Sequence, residues 1–452
     1  MQLKKNDRVE LNIDSFGAQG EGVAKWEGMP VFIPFVLPGE RVKAQILKVE
    51  KRYAFAKALD ILDPSPDRRD APCPHFGQCG GCVAQHMRYE AQLQFKRAQV
   101  ENCMRHIAGL DVSVEPVLGM DEPWHYRNKI SMPVSGETGA PQIGYYTARS
   151  HRVINTESCL LSCDAADRAV AAVRQWMIQE RIAPYQETLQ KGLIRHVMIR
   201  LNQQGEAMLV LAINGKKLPK SDALLSILHK TVPEVVSLCI SPNLKHNNVI
   251  LGDTYQVIWG AERLSDTLCG NAFRISPLSF FQVNPTQTEK LYQTALDFAA
   301  LRGGETVADL YCGAGTITLM LARKAAHVIG VEIVPQAIQD AIANAQRNGI
   351  SNADFHCGPT EEILPRLVSQ GIRPDVIVLD PPRKGAEPAV LSAILECAPK
   401  RIVYVSCNPA TQARDARILA DGGYLPERCQ PVDMFCQTSG VEAVCLFTRK
   451  TI

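Results

Sequence analysis

The stretch Asp309-Leu310-Tyr311-Cys312-Gly313-Ala314-Gly315-Thr316 decides the architecture of this chain. Residues 307–310 read as a buried strand, the spaced glycines as a tight turn, and the residues from Thr316 as the start of a helix. Candidate strands at Val307–Leu310, His327–Val331, Val376–Leu379 and Arg401–Val405 alternate with helical patterns. That alternation is the signature of a parallel, doubly wound α/β sheet. Asn284 before Pro285 predicts a capped helix start ahead of the first strand. Ligands of such sheets bind beyond the carboxyl ends of the strands, so the residues that follow each strand carry the chemistry.

Gly313 and Gly315 let the backbone approach a ligand where a side chain would collide. Glu332 closes the next strand, where a carboxylate can accept hydrogen bonds from ribose hydroxyls. The Gly-x-Gly-Thr loop is shorter than a dinucleotide fingerprint and lacks its third glycine. It resembles the S-adenosylmethionine loop of class I methyltransferases. Cys407, in Val405-Ser406-Cys407-Asn408-Pro409, follows another strand of the same sheet. A thiolate there can add to an electrophilic ring carbon.

The remaining sequence is organised differently. The chain has 452 residues, 46% hydrophobic and 21% charged, which at about 150 residues per domain suggests three parts and no disorder. A net charge of +2 restricts any nucleic-acid surface to local clusters. No stretch approaches the roughly 18 apolar residues of a membrane span, and the N-terminus lacks the apolar core of a signal peptide. A cytoplasmic monomer is expected.

Residues 1–60 alternate in short runs (Arg8–Ile13, Pro30–Val36, Arg41–Val49) between Gly and Pro turns, which suits an OB-like β-barrel. Lys and Arg interleaved with Phe16, Trp26, Tyr53 and Phe55 offer charge and stacking faces for single-stranded nucleic acid, although acidic residues nearly balance the basic ones. Asp63-Pro64-Ser65-Pro66-Asp67 reads as a stiff linker.

Residues 66–260 read as a mixed α+β region. It opens with Cys73-x5-Cys79-x2-Cys82, followed by a helical pattern over 87–107 with Tyr89, Leu93, Val100, Met104 and Ile107 on one face. Strand-like runs follow at Gly192–Leu201, Ala207–Ile213, Val235–Ile240 and Tyr255–Trp259. The cysteine spacing fits either tetrahedral zinc or a [4Fe-4S] cluster once a fourth thiolate is supplied. Cys239, Cys269, Cys397 and Cys445 sit in apolar runs and read as small buried hydrophobes. The third part, residues 268–452, holds the strand–helix alternation.

Five stretches carry a family resemblance: Phe281-Gln282-Val283-Asn284, Asp309–Thr316, Asp380-Pro381-Pro382-Arg383, Ser406–Pro409, and Asp433-Met434-Phe435 with Glu442. In that order they resemble the RNA uracil-5-methyltransferase family. The resemblance implies a Rossmann-like class I methyltransferase domain that uses S-adenosylmethionine to form 5-methyluridine. It implies that Cys407 adds to C6 of the uracil and that Glu442 removes the C5 proton. Gln282, Tyr311, Glu332 and Asp380 would contact the cofactor.

The ribosomal RNA branch of this family carries a TRAM domain and a [4Fe-4S] cluster. By resemblance, the barrel is then an RNA-binding TRAM domain, and Cys73, Cys79, Cys82 and Cys159 hold the cluster in preference to Cys163. Arg127 resembles a substrate-facing arginine. Gly440 departs from the pattern, which places a histidine there in many relatives. The implied substrate is 23S ribosomal RNA. The competing expectations are the same chemistry on transfer RNA, or a redox-sensing iron–sulfur protein that binds RNA without catalysis.

Overall fold

The computed structural model describes residues 3–449. Five strands, Arg8–Phe16, Gly22–Trp26, Met29–Ile33, Arg41–Val49 and Ala54–Asp63, close into a barrel. Their alternating apolar residues point inward, so Leu11, Ile13, Ala24, Val31, Val42, Ala44 and Ile46 form its core. The linker is pinned to the barrel: Arg68 donates to the buried Glu40 carboxylate at 2.5 Å and to the Phe35 carbonyl at 2.9 Å.

A seven-stranded central sheet follows. In spatial order it runs Gln256–Gly260, Val235–Pro242, Ala207–Ile213, Ile194–Leu201, Lys129–Glu137, Ala140–Tyr146, Val153–Asn155. Helices Asp164–Gln179 and Ser221–Thr231 cover one face through Val170, Val173, Trp176, Leu224 and Leu228. The run Ala207–Ile213 is apolar at every position because both faces of that strand are buried.

The C-terminal sheet has eight strands. The order is Ala353–Cys357, His327–Glu332, Thr306–Leu310, Val376–Leu379, Arg401–Ser406, Glu442–Arg449, Tyr424–Val432, and finally Ser113–Val114 from the central region. The first five pair in parallel, and Glu442–Arg449 is antiparallel to both its neighbours. This is the order of a class I methyltransferase sheet. The expected cap is present, with the Asn284 side chain accepting from Gln287 N at 3.2 Å.

Two local readings change. The helix expected over 87–107 is α-helical only from Tyr89 to Cys103 and ends in a π-helical turn, Met104–Ala108. The wider turn rotates the apolar face, so Val100 and Met104 pack against the C-terminal sheet while Ile107 is left 49% exposed. Cys445, read as a packed hydrophobe, stands opposite Cys429 on the neighbouring strand and is disulfide-bonded to it. No described helix is long and apolar enough to cross a membrane.

The helix Tyr89–Cys103 holds down the loop before Glu442. Lys96 pairs with Asp433, both side chains being fully buried, and also donates to the Phe435 carbonyl at 3.0 Å. The Tyr89 hydroxyl donates to the other Asp433 oxygen at 2.8 Å. Lys96→Met leaves that carboxylate buried without its cation, so a loss of about 3–5 kcal/mol in chemical denaturation is expected.

Candidate active site

The turn after Leu310 takes three left-handed residues, Tyr311 (φ 66°), Gly313 (φ 55°) and Gly315 (φ 82°). A Cβ on Gly315 would lie 3.2 Å from the Ala341 Cβ, so glycine is what lets the loop settle against the helix Pro335–Arg347. Tyr311 has no such excuse, and its conformation is held by its surroundings. The loop is fixed from outside by Glu332, whose Oε2 accepts Gly313 N at 3.1 Å, and by Asn344, which donates to the Ala314 carbonyl at 3.1 Å.

A cleft of about 460 Å³, counting its open mouth, lies over this loop. Gln282, Tyr311 and Asp380 line it, together with Asp309, Tyr292 and Phe280. Glu332 stands at the end of the next strand, where its carboxylate accepts the Gly313 amide and the Val334 amide (2.9 Å). Asp309 is buried against the Thr318 hydroxyl at 2.5 Å, and burial pushes its carboxyl up to about 7. Phe280 stands 74% exposed at the mouth, an unusual position for a large apolar ring.

Cys407 follows the strand Arg401–Ser406 and is partly exposed. The antiparallel ladder ends with Ser406 opposite Ala443, so Cys407 and Glu442 both flank its last pair, close enough for the Glu442 charge to act on the thiol. Glu442, 4% exposed, opens its strand there. Asn408 caps the next helix through Ala410 N at 3.1 Å and donates to the Arg383 carbonyl at 2.9 Å. That bond ties the Asp380–Arg383 turn to the cysteine loop.

The electrostatics follow from this crowding. Burial pushes the Glu442 carboxyl up, the Asp380 charge adds to the effect, and Arg383 opposes it. Burial likewise pushes Asp380 up. The Cys407 thiol is raised to about 11, first by burial, then by Glu442 and Asp380, against Arg383. The Glu442 and Asp380 carboxyls and the Cys407 thiol therefore influence one another's protonation beside the cleft, with the Arg383 charge opposing the rise of Glu442 and Cys407.

Arg383 had no role assigned from sequence, although it directly follows Asp380-Pro381-Pro382, which marked the turn. Tyr292 gave no local signal. It sits within an ordinary helix, and its hydroxyl accepts from Thr316 at 3.3 Å. At Gly440 a Cβ would lie 3.1 Å from the Phe435 ring, so in this chain that ring occupies the space a side chain would need.

The four cysteines singled out by spacing and resemblance share one neighbourhood. The Cys79 thiol is raised by burial, with Cys159 and Cys73 adding, and Cys82 is pushed up to about 12 by burial, with Cys159 and Cys79 adding. Tyr145 hydrogen-bonds Cys159, and the guanidinium of Arg127 opposes the rise of Cys79 and Cys82. Cys163 instead takes the N-cap position of the helix Asp164–Gln179. Among the described residues no three His, Cys, Asp or Glu side chains converge closely enough to hold a single metal ion.

Fold and cleft together define a class I, S-adenosylmethionine-dependent methyltransferase. Residues 88–450 match the family described as tRNA (uracil-5-)-methyltransferase, and residues 2–59 match the TRAM domain. The chain is 48% identical over 450 residues to an uncharacterized RNA methyltransferase of Halalkalibacterium halodurans, covering 99% of this chain and 98% of that one. A counterpart in Listeria monocytogenes is 47% identical over 443 residues, covering 98% of each. The crystal structure of Pyrococcus abyssi tRNA (uracil-54, C5)-methyltransferase with S-adenosyl-L-homocysteine superposes with a TM-score of 0.77 at 26% identity, over 97% of this chain and 99% of that one. The chain belongs to the RNA uracil-5-methyltransferase family, with an N-terminal TRAM domain.

Proposed function

We propose that a single chain methylates C5 of a uridine in large-subunit ribosomal RNA. The observation that carries the chemistry is the proximity of Cys407 and Glu442 at the ends of two paired strands, beside a cleft shaped by the Asp309–Thr316 loop. When bound, S-adenosylmethionine supplies an electrophilic methyl group. Gln282, Tyr311 and Asp380 would hold it in the cleft, with Glu332, which also fixes the loop, as the fourth contact. Cys407 adds to C6 and makes C5 nucleophilic. After methylation, Glu442 takes the C5 proton, the C6–S bond breaks and the thiolate leaves. The target base must be unpaired or flipped for the thiol to reach its face.

In this division of labour, residues 1–60 bind RNA, residues 66–260 hold the thiol site and further RNA, and residues 268–452 do the chemistry. The iron–sulfur reading of Cys73, Cys79, Cys82 and Cys159 rests on the family resemblance, and the four thiols share one neighbourhood. Protein purified without oxygen is expected to carry about four irons per chain. A zinc-loaded, iron-free protein would overturn the cluster.

The ribosomal substrate rests on the barrel and thiol loop. The Pyrococcus abyssi enzyme acts on uracil 54 of transfer RNA, which makes transfer RNA the second reading. Incubation with methyl-labelled S-adenosylmethionine and each unmodified RNA separates them. Labelled 5-methyluridine in ribosomal RNA alone is expected. Label in transfer RNA overturns the substrate, and label in neither overturns the activity.

A further inference from the structure

A second cleft of about 760 Å³, counting its open mouth, lies in the central sheet and shares no lining residue with the cofactor cleft. The Tyr146 and His151 rings line it as a stacked pair, centroids 5.0 Å apart and 22° from parallel. Tyr185 also lines it, with the Arg195 guanidinium 4.6 Å above its ring. Arg195 is 6% exposed and held by the carbonyls of Asn243 (2.7 Å) and Lys245 (2.8 Å), so this wall is rigid. Glu187 supplies the acceptor edge. One of its oxygens takes the His151 Nδ1 at 2.8 Å, the other the Tyr146 hydroxyl at 3.4 Å, and each oxygen keeps a lone pair for a further donor. Flat aromatic surfaces beside a carboxylate suit a planar heteroaromatic ring with N–H donors.

The position of the cleft relates it to catalysis. Near the end of strand Ile194–Leu201, Arg200 donates to the Ser279 carbonyl at 2.7 Å in the loop that carries Phe280 and Gln282. Just before the neighbouring strand Lys129–Glu137, Asn128 donates to the Val283 carbonyl at 2.9 Å and the Gln282 carbonyl at 3.1 Å. His196, in the second cleft, lies on the same sheet face as Arg200, about 13 Å along the strand. The strand therefore links the loop over the cofactor cleft to the second cleft within a few residues, on the scale of a few unpaired nucleotides. Exposed Arg149 and Arg152 flank His151 in sequence, and Arg149 reaches over the Phe55 ring of the barrel at 6.0 Å. Positive charge for the backbone is therefore present between the barrel and this cleft.

We infer that this cleft is a second nucleobase pocket, which captures an unpaired, amino-bearing base of the substrate RNA a few nucleotides from the methylated uridine. The inference rests on the RNA-methylation reading above. A captured base fixes the register of the strand, so the pocket selects which uridine reaches Cys407.

The test is a walk of single abasic replacements along an RNA fragment containing the labelled uridine, with kinetics for the wild-type protein and the double variant Glu187→Gln, His151→Ala. Both side chains are more than half exposed, at 52% and 59%, so the variant folds. In the wild type, one position within about five nucleotides of the target is expected to raise KM about tenfold, with kcat little changed, as for loss of one stacked base. In the variant KM is raised already, and the same abasic site adds less than about twofold, because the two losses are one interaction. No sensitive position in the wild type, or undiminished sensitivity in the variant, overturns the pocket while leaving the activity intact. Absence of methylation of the unmodified fragment overturns the functional reading, and the pocket falls with it.

Discussion

Cys407→Ala is expected to lower methyl transfer by on the order of 10⁴-fold or more while RNA binding changes by less than about threefold. Without addition at C6, uracil C5 is too poor a nucleophile, and Cys312, the thiol of the cofactor loop, is only 5% exposed. The wild-type pH profile tests the same assignment. With the thiol raised to about 11, the reactive thiolate is a small fraction at neutral pH and grows about tenfold per pH unit. The profile of kcat/KM should therefore climb from pH 6.5 towards 9. Residual turnover near wild type in Cys407→Ala, or a flat profile, would remove Cys407 from the nucleophile role.

The parallel sheet and the barrel were legible because their signals are local. Apolar runs such as Val376–Leu379 mark strands buried on both faces, and Gly and Pro punctuate the barrel's alternation. The strand Ala353–Cys357 escaped because it lies at the sheet edge, where Asp354 and His356 break the apolar pattern. The π-turn after Cys103 escaped because a helical period does not report where the helix widens. Lys96 reads as an ordinary polar position on a helix, yet tertiary structure buries it against Asp433, 337 residues later. The site was legible through motif order, and its electrostatics were not. That Glu442 stands buried beside Cys407 depends on the pairing of strands 401–406 and 442–449, which no local pattern encodes.

Glu442→Gln is expected to accumulate a covalent enzyme–RNA adduct, with turnover reduced about 10³-fold or more. The two halves of the reaction respond oppositely to this change. The Glu442 charge holds the Cys407 thiol up, so its removal favours the thiolate and leaves addition to C6 intact. Elimination, however, needs a base at C5, and the amide cannot accept that proton. Asp380 is raised by its own burial and occupied at the cofactor cleft, so it does not take over. The stalled species should migrate as a shifted band on a denaturing gel, appear only with S-adenosylmethionine and RNA both present, and carry the transferred methyl label. It should be absent from Glu442→Gln combined with Cys407→Ala, because the bond that traps it runs through that sulfur. Normal turnover with no shifted band would assign the base elsewhere. A band that persists in the double variant would show that another nucleophile holds the RNA.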